Sequence, residues 1–183
     1  MSTAEASDPT SALRGLAPSR EPCSYRGNAA LLKRPATVFL CSTRCPGEKI
    51  LQIYEWARRQ CDEGGAVISG FHTPVEKDVL AILARRGANI LWVPARDLPK
   101  TTPRLLQPAE EQGRLLILTP FEPGKPSRPT KNSCAIRNRF VLGIADTLFL
   151  PYVAEGSSLS KDILAIKHVA REHPDRLEAN SPT

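Results

Sequence analysis

The chain has no stretch of apolar residues long enough to cross a membrane, because none of its hydrophobic runs approaches about 20 residues. Residues 1–19 also lack the apolar core of a secretory signal, so we expect a cytoplasmic protein. The five cysteines are odd in number and irregularly spaced, which argues against a disulfide framework. Cys41 and Cys45 lack the further pair of ligands that a metal site needs, and we therefore expect neither a metal nor a cofactor.

Acidic residues are missing between Pro123 and Ala145, although the chain as a whole carries 19 of them. The net charge of +6 hints only weakly at a polyanionic partner, so the position of the positive charge is more informative. A basic surface without acids attracts phosphate groups, whereas the plainer interpretation is a solvated helix face with local salt bridges. The basic residues of this segment are Lys125, Arg128, Lys131, Arg137 and Arg139. In the helix that we expect after Ser133, Arg137 and Asn138 would lie on the outer face, opposite the inward-facing Ile136, Phe140, Val141 and Ile144.

Five short apolar stretches alternate with amphipathic ones along the chain. Because each of the five is apolar on both faces, the pattern is typical of parallel strands that helices cover on both sides. We therefore expect an α/β protein with a Rossmann-like, doubly wound, mainly parallel sheet of about five or more strands. The predicted strands are Ala36–Cys41, Ala66–Ile68, Asn89–Pro94, Arg114–Thr119 and Thr147–Val153.

The stretches between the strands show the apolar spacing of helices. Helices are predicted from Pro46 to about Cys61, from Pro74 to a stop at Gly87, from a cap at Ser133, and from about Leu159 to Glu172, with a short helix from about Pro103 or Pro108. A single domain is expected over residues 23–173, between a disordered segment, 1–22, and a flexible tail, 174–183.

The turn between the second strand and its helix is the most informative stretch. Thr73 can cap the helix, Pro74 suits its first position, and Glu76 completes a capping box. The turn that begins at Ser69 would then lie at the C-terminal edge of the sheet and face free helix N–H groups, where α/β proteins bind anions and other ligands. Right-handed crossovers would place the turns after the first and last predicted strands beside it.

Five motifs, in this order, resemble the Rossmann domain of the DNA-processing protein A (DprA/Smf) family over about residues 25–164. They are Tyr25-Arg26-Gly27-Asn28 with the strand ending at Cys41-Ser42-Thr43-Arg44, then Val67-Ile68-Ser69-Gly70, Pro123-Gly124-Lys125-Pro126, Arg137-Asn138-Arg139 and Gly156-Ser157-Ser158-Leu159. The resemblance implies a domain that binds single-stranded DNA, forms a homodimer, and acts in DNA processing, recombination or DNA uptake with a RecA-type recombinase.

The resemblance also implies which residues contact DNA. These are Ser42, Arg44, Ser69, Gly70, Arg137, Asn138, Arg139, Ser157 and Ser158. The turn and the basic segment add His72, Thr73 and Lys131 to the predicted phosphate-binding set. Phe71 and Phe121 are either stacking platforms for bases or core residues, and an aromatic content of only 5% predicts binding that is dominated by the DNA backbone.

The chain departs from the family where a basic, glycine-bearing turn is replaced by residues 72–78, His-Thr-Pro-Val-Glu-Lys-Asp. From its 183 residues we also expect the chain to lack the extra N-terminal helical domain and the C-terminal winged helix of many members. His72 can contact a phosphate or base, act as a general acid or base, or bond the turn backbone. The alternative function is therefore that of a nucleotide-ligand sensor or a small nucleotide hydrolase, so the question of enzyme activity stays open. The plainest alternative is an interaction module whose cleft is unused.

Overall fold

The computed structural model of the protein describes residues 24–144 and 146–172, and for residues 166–172 it describes the helix without the side chains. The predicted disordered segment 1–22 and the predicted tail 174–183 lie outside the described residues. Every helix in the described ranges is too short or too polar to cross a membrane.

One sheet of six strands organises the fold, in the order β1-β5-β4-β3-β2-β6. Strands β2 to β6 are parallel to one another, which confirms the predicted doubly wound, mainly parallel sheet. The strands are β1 (Ser24–Gly27), β2 (Ala36–Phe39), β3 (Ala66–Ser69), β4 (Asn89–Trp92), β5 (Leu115–Thr119) and β6 (Thr147–Phe149).

Strand β1 was not predicted, and it is the exception to the parallel pattern. It pairs antiparallel with β5, with Ser24 opposite Thr119 and Gly27 opposite Leu116. Its residues alternate between partly buried and exposed, because an edge strand needs no continuous apolar run. Strand β6 is shorter than predicted and ends at Phe149, two residues before Pro151, which has no N–H group to donate to a ladder.

Five helices pack on the two faces of the sheet. They are α1 (Gly47–Glu63), α2 (Pro74–Arg86), α3 (Gln107–Glu111), α4 (Lys131–Ile144) and α5 (Ser158–Glu172), with 3-10 helices at Ala29–Lys33 and Arg104–Leu106. Helix α2 carries the predicted capping box and ends at Gly87, whose φ of 84° is left-handed. The prediction that Ser133 caps α4 is wrong, because the helix begins two residues earlier and Thr130 Oγ1 accepts the hydrogen bond from the Ser133 N–H at 3.0 Å.

The core has two layers, one on each side of the sheet. On one side, β2, β3, β4 and β5 pack against α1, α2 and α3 through Ile53, Val79 and Ala109, among others. On the other side, the same strands pack against α4 and α5 through Phe140, Val141 and Leu159. Helices on both faces leave the C-terminal edge of the sheet as the place where loops from different elements converge.

An aromatic stack fastens the short edge strand β6 to the first layer. The ring of Trp56 on α1 lies 4.3 Å from that of Phe149 on β6 and 5.2 Å from that of Phe39 on β2, between ring centroids. Because β6 has only three residues and Leu148 is 55% exposed, this stack supplies much of the burial that holds the strand in place.

We expect Trp56→Ala to lower the free energy of unfolding by about 3–5 kcal/mol, since it removes a large buried ring and leaves a cavity. Leu51→Ala in the same helix is the control, because Leu51 is 63% exposed and its loss should cost no more than about 0.5 kcal/mol. Urea unfolding of the two variants measures the difference, and equal midpoints would contradict the role of the stack.

Candidate functional site

The sheet has a topological switch point at β2. Strands β3, β4 and β5 follow one another on one side of β2, whereas β6 lies on its other side. The chain therefore leaves β2 for α1 on one face and leaves β6 for α5 on the opposite face, which opens a crevice between the two loops. Ser42 bridges that crevice, because its N–H donates to Tyr152 O at 3.0 Å and its Oγ accepts from the Ala154 N–H at 2.9 Å.

A buried carboxylate holds the two turns next to this crevice. Glu76 is 3% exposed, and its Oε2 accepts hydrogen bonds from the N–H groups of His72 at 2.7 Å and Thr73 at 3.1 Å. Its Oε1 accepts from the N–H group of Cys41 at 3.0 Å. Glu76 therefore does more than complete the predicted capping box, since it ties the turn after β3 to the end of β2. Both oxygens are engaged in these bonds, which gives the carboxylate a structural role in the two turns.

Arg137 is 3% exposed, which contradicts the prediction that it lies on the outer face of its helix. Its Nε donates to Asn138 Oδ1 at 2.9 Å and its Nη1 donates to Val93 O at 3.3 Å, while Nη2 makes no hydrogen bond with any described residue. Burial lowers the pKa of Arg137, and nearby acidic groups oppose that shift, chiefly Glu76. A guanidinium stays charged at neutral pH, so the site holds a buried cation with one nitrogen left for a ligand.

The absence of a side chain at Gly70 makes room for this guanidinium. A Cβ atom built on Gly70 would lie 1.1 Å from Arg137 Nη1, so any other residue would displace the arginine. The following residue, Phe71, has a left-handed φ of 47° and is 4% exposed. Its ring belongs to the core rather than to a stacking platform, which decides between the two interpretations of Phe71. Ser69, which is fully buried, accepts the Phe71 N–H through its Oγ at 3.1 Å.

The turns and Arg137 enclose a cleft of about 420 Å³ at the C-terminal edge of the sheet. We call this cavity the cleft. It brings together eight of the predicted contact residues, Ser42, Arg44, His72, Thr73, Arg137, Asn138, Ser157 and Ser158. Arg44 and His72 are exposed there, and the only acidic side chain in the lining is the engaged Glu76. The cleft therefore offers mainly hydrogen-bond donors and positive charge, which suits an anion.

Four predicted contact residues do not line the cleft. Ser69 and Gly70 lie beneath it, and Lys131 is exposed at the first position of α4. Arg139 Nε lies 3.6 Å from Asp162 Oδ1, and Asp162 Oδ2 accepts a hydrogen bond from Asn138 Nδ2 at 3.0 Å. Asp162 on α5 thus partly neutralises the basic segment. The absence of acids within the segment itself gave no sign of this contact.

The buried stripe of α4 carried the signal that would have placed Arg137 correctly. The stripe follows the spacing i, i+4, i+7 and i+8 of a helix face that packs on a core, and its members are Ser133, Arg137, Phe140 and Val141. An arginine on the same stripe as two core residues is a buried arginine. Cysteines in the described ranges are free thiols, namely Cys41, Cys45, Cys61 and Cys134. No group of three or more potential metal ligands is found in those ranges.

Comparisons with known proteins find a likeness in structure. No protein-family model and no curated protein matches the chain. The X-ray structure of DNA processing protein A (DprA) from Streptococcus pneumoniae matches 87% of the chain with a TM-score of 0.68 and 17% sequence identity. The structure of DprA from Helicobacter pylori matches 88% of it with a TM-score of 0.66 and 19% identity. The chain has a DprA-like fold. The resemblance inferred from the five motifs is thereby confirmed at the level of the fold.

The DprA-like fold accounts for only part of those proteins. The chain spans 56% of the pneumococcal protein and 74% of the H. pylori protein. The H. pylori structure concerns a single-stranded DNA binding mode of that protein. At these identities the likeness shows the shared architecture, and the chemistry of the cleft has to be judged from the residues of this chain.

We expect Glu76→Ala to destabilise the protein by about 3 kcal/mol or more, because three backbone N–H groups would lose their acceptor inside the fold. Thr73→Ala is the matched control, since it removes only the capping hydrogen bond that the Glu76 N–H donates to Thr73 Oγ1 and should cost about 1 kcal/mol. Amide hydrogen exchange should rise at Cys41, His72 and Thr73 in the first variant. Unchanged protection of the Cys41 amide would show that Glu76 does not link the two turns.

Burial raises the pKa of the Cys41 thiol from 9.0 to about 12, with Cys45 and Glu76 adding to the effect. The unfolded chain loses this proton near its ordinary pKa and the folded protein keeps it, so stability falls as pH rises from about 9 towards 12. Cys41→Ala should flatten this decline, whatever its effect on stability at neutral pH. Urea unfolding at a series of pH values measures the two slopes, and identical slopes would refute the assignment.

Proposed function

We propose that the protein binds single-stranded DNA through phosphate contacts in the cleft and acts in DNA processing or recombination. The observation that carries the proposal is Arg137, a buried guanidinium that lines the cleft and whose Nη2 makes no hydrogen bond with a described residue. A charge is buried at a cost of several kcal/mol unless it is paired, and an anionic ligand at this nitrogen would complete the pairing. Guanidinium forks match phosphate oxygens closely.

The rest of the cleft supports a phosphate ligand rather than a stacked base. Exposed Arg44 adds a second cation, and Ser157 and Ser158 lie at the start of α5, where free N–H groups favour anions. No Phe, Tyr or Trp lines the cleft. Contacts in the cleft would therefore follow the DNA backbone and depend weakly on its sequence. The DprA-like fold supports the proposal, as does the DNA-binding mode described for the H. pylori protein.

The wider role follows from the resemblance alone. On the basis of that resemblance, the proposal includes a RecA-type recombinase as partner, a homodimer, a role in DNA uptake and a cytoplasmic location. Lys131 and Arg139 would contribute at the margin of the cleft, Lys131 as an exposed cation and Arg139 by orienting Asp162 and Asn138.

The test is the binding of an oligonucleotide of about six nucleotides across a series of salt concentrations. We expect Arg44→Ala to lower the slope of log affinity against log salt by about 0.7, the value for one lost phosphate contact on a single strand. Arg137→Lys should weaken binding about tenfold or more, because it keeps the charge and loses the fork. Thermal unfolding must show that both variants are folded.

Arg58→Ala is the control for Arg44→Ala, because Arg58 is an exposed arginine on α1 that does not line the cleft. It should leave the affinity for the oligonucleotide unchanged. Salt-independent binding, or equal effects of Arg44→Ala and Arg58→Ala, would contradict phosphate contact in the cleft.

A nucleotide-ligand sensor is the second candidate, and His72 is the observation that favours it. The His72 side chain is exposed and lines both the cleft and a neighbouring apolar pocket, so it could contact one small ligand that reaches into both. A nucleotide hydrolase is less well supported, because Glu76 is hydrogen-bonded to backbone N–H groups and no other carboxylate lines either cavity. A thermal-shift screen with free nucleotides, followed by a turnover assay on any hit, separates these versions from DNA binding.

A further inference from the structure

Four arginines surround a hollow at the far end of α2, which we call the arginine basin. The hollow measures about 590 Å³, and Arg85, Arg86, Arg104 and Arg114 line it together with small and apolar residues. Arg86 ends α2 and Arg114 precedes β5, so the basin lies towards the N-terminal edge of the sheet, opposite the cleft. Its lining contains no acidic side chain.

The positive charges of the basin are not neutralised by the residues around them. The side chains of Arg85, Arg86 and Arg104 are exposed and make no hydrogen bond or ion pair with a described residue. Arg114 is held by neutral acceptors, because Nη1 donates to Ala88 O at 2.9 Å and Nε donates to Gln112 Oε1 at 2.9 Å. The nearby carboxylate of Glu110 is directed to Arg26, 3.5 Å away.

The dipole of α2 accounts for the positions of only two of the four arginines. Arg85 and Arg86 occupy the last turn of α2, where cations are favourable by about 0.3–1 kcal/mol each. Arg104 lies in a 3-10 helix and Arg114 before a strand, so neither gains from the end of α2. Four like charges from three elements repel one another, and their convergence indicates a site for a ligand with several negative charges.

An apolar pocket lies between the cleft and the basin. This pocket of about 270 Å³ shares His72 and Arg137 with the cleft and shares Leu105 with the basin. Leu80 and Trp92 line it, and its ionisable side chains are His72, Lys77, Arg96 and Arg137, with no acidic residue among them. It is smaller than the roughly 300 Å³ at which pockets for whole drug-sized ligands begin, so it fits a single ring system.

We propose that the arginine basin binds phosphates of a single DNA strand that leaves the cleft and passes across the apolar pocket, where it inserts a base. The inference rests on the proposed function of the cleft and extends it by a second contact region. The three cavities follow one another along α2, adjacent cavities share lining residues, and each has basic side chains in its lining, as a strand with a phosphate on every nucleotide requires.

The length of α2 sets the length of DNA that is needed to reach the basin. Its 13 residues span about 20 Å, and a stacked strand advances about 3.4 Å per nucleotide. A strand must therefore extend about six nucleotides beyond the cleft before it contacts Arg85 and Arg86. Affinity should rise in a step once the oligonucleotide is long enough.

The experiment compares oligothymidylates of about 6 and about 20 nucleotides over a salt series, with the wild-type protein and two double variants. Arg85→Gln with Arg86→Gln removes two charges from the basin. Arg58→Gln with Arg59→Gln removes two exposed charges from α1, outside all three cavities, and is the charge-matched control. Glutamine is used because it keeps the helix propensity of arginine.

We expect the long strand to bind the wild type and the control with a salt slope steeper than that of the short strand by about 0.7 for each phosphate contacted. The basin variant should lose about 1.4 of this slope for the long strand and bind the short strand like the wild type. Unchanged long-strand affinity and slope in the basin variant, with short strands still bound, would overturn the basin and leave the cleft standing. If neither strand binds the wild type, the cleft proposal fails, and the basin fails with it.

Fluorescence provides a second measurement of the path. The chain has two tryptophans, so in the Trp56→Phe variant the emission comes from Trp92, which lines the apolar pocket. Emission should be quenched by the long strand, because a base would lie against the indole. Unchanged emission at saturating long strand would show that DNA does not cross the pocket.

Discussion

The hydrogen bonds of the Glu76 carboxylate are the constraint on which the C-terminal edge of the sheet depends. Three N–H groups from two separate loops share this one acceptor group, so neither turn can move without breaking a buried hydrogen bond. The carboxylate lies among buried residues, where an isolated charge would be unfavourable. Its donors and the attraction of Arg137 compensate for the lost water. The shape of the cleft therefore depends on the hydrogen bonds that hold the Glu76 carboxylate.

The two buried charges of the site differ in what they leave for a ligand. Glu76 uses both oxygens within the protein, whereas Arg137 uses two nitrogens and keeps one. Ser42 Oγ likewise accepts a backbone N–H group, and it lies 3.5 Å from Ser157 Oγ, so one of these two hydroxyl groups donates to the other. Hydrogen bonds within the protein occupy the acceptor atoms of the site, whereas hydrogen-bond donors remain available in the cleft. Free donors without free acceptors favour an anionic ligand, and they do so without a large net charge at the surface.

The sequence predicted those parts of the site that depend on neighbouring residues. Thr73, Pro74 and Glu76 lie within four positions of one another, and the capping box follows from that spacing. The bond from Cys41 to Glu76 joins residues 35 apart, and no local pattern indicates it. Arg137 was placed on the outer face because it is charged, although it lies on the stripe of Phe140 and Val141.

Two other features escaped prediction for related reasons. Asp162 lies far from the basic segment in sequence, and only the packing of α5 beside α4 brings it to Asn138 and Arg139. Strand β1 has no apolar run, because an edge strand needs only one buried side. In each case the missing information was a tertiary contact, which propensity and periodicity do not contain.

The positive charge around the cleft comes mainly from outside the turn at residues 72–76. His72 is the only basic side chain of that turn, and the fixed cations around it come from other elements. Arg44 follows β2 and Arg137 belongs to α4, while Lys77 and Arg96 line the adjoining pocket from α2 and from the loop after β4. A field assembled from four elements requires the correct packing of the whole domain. Because Arg137 fills the space above Gly70, the site is formed when α4 docks on the sheet, and not by the turn motif alone.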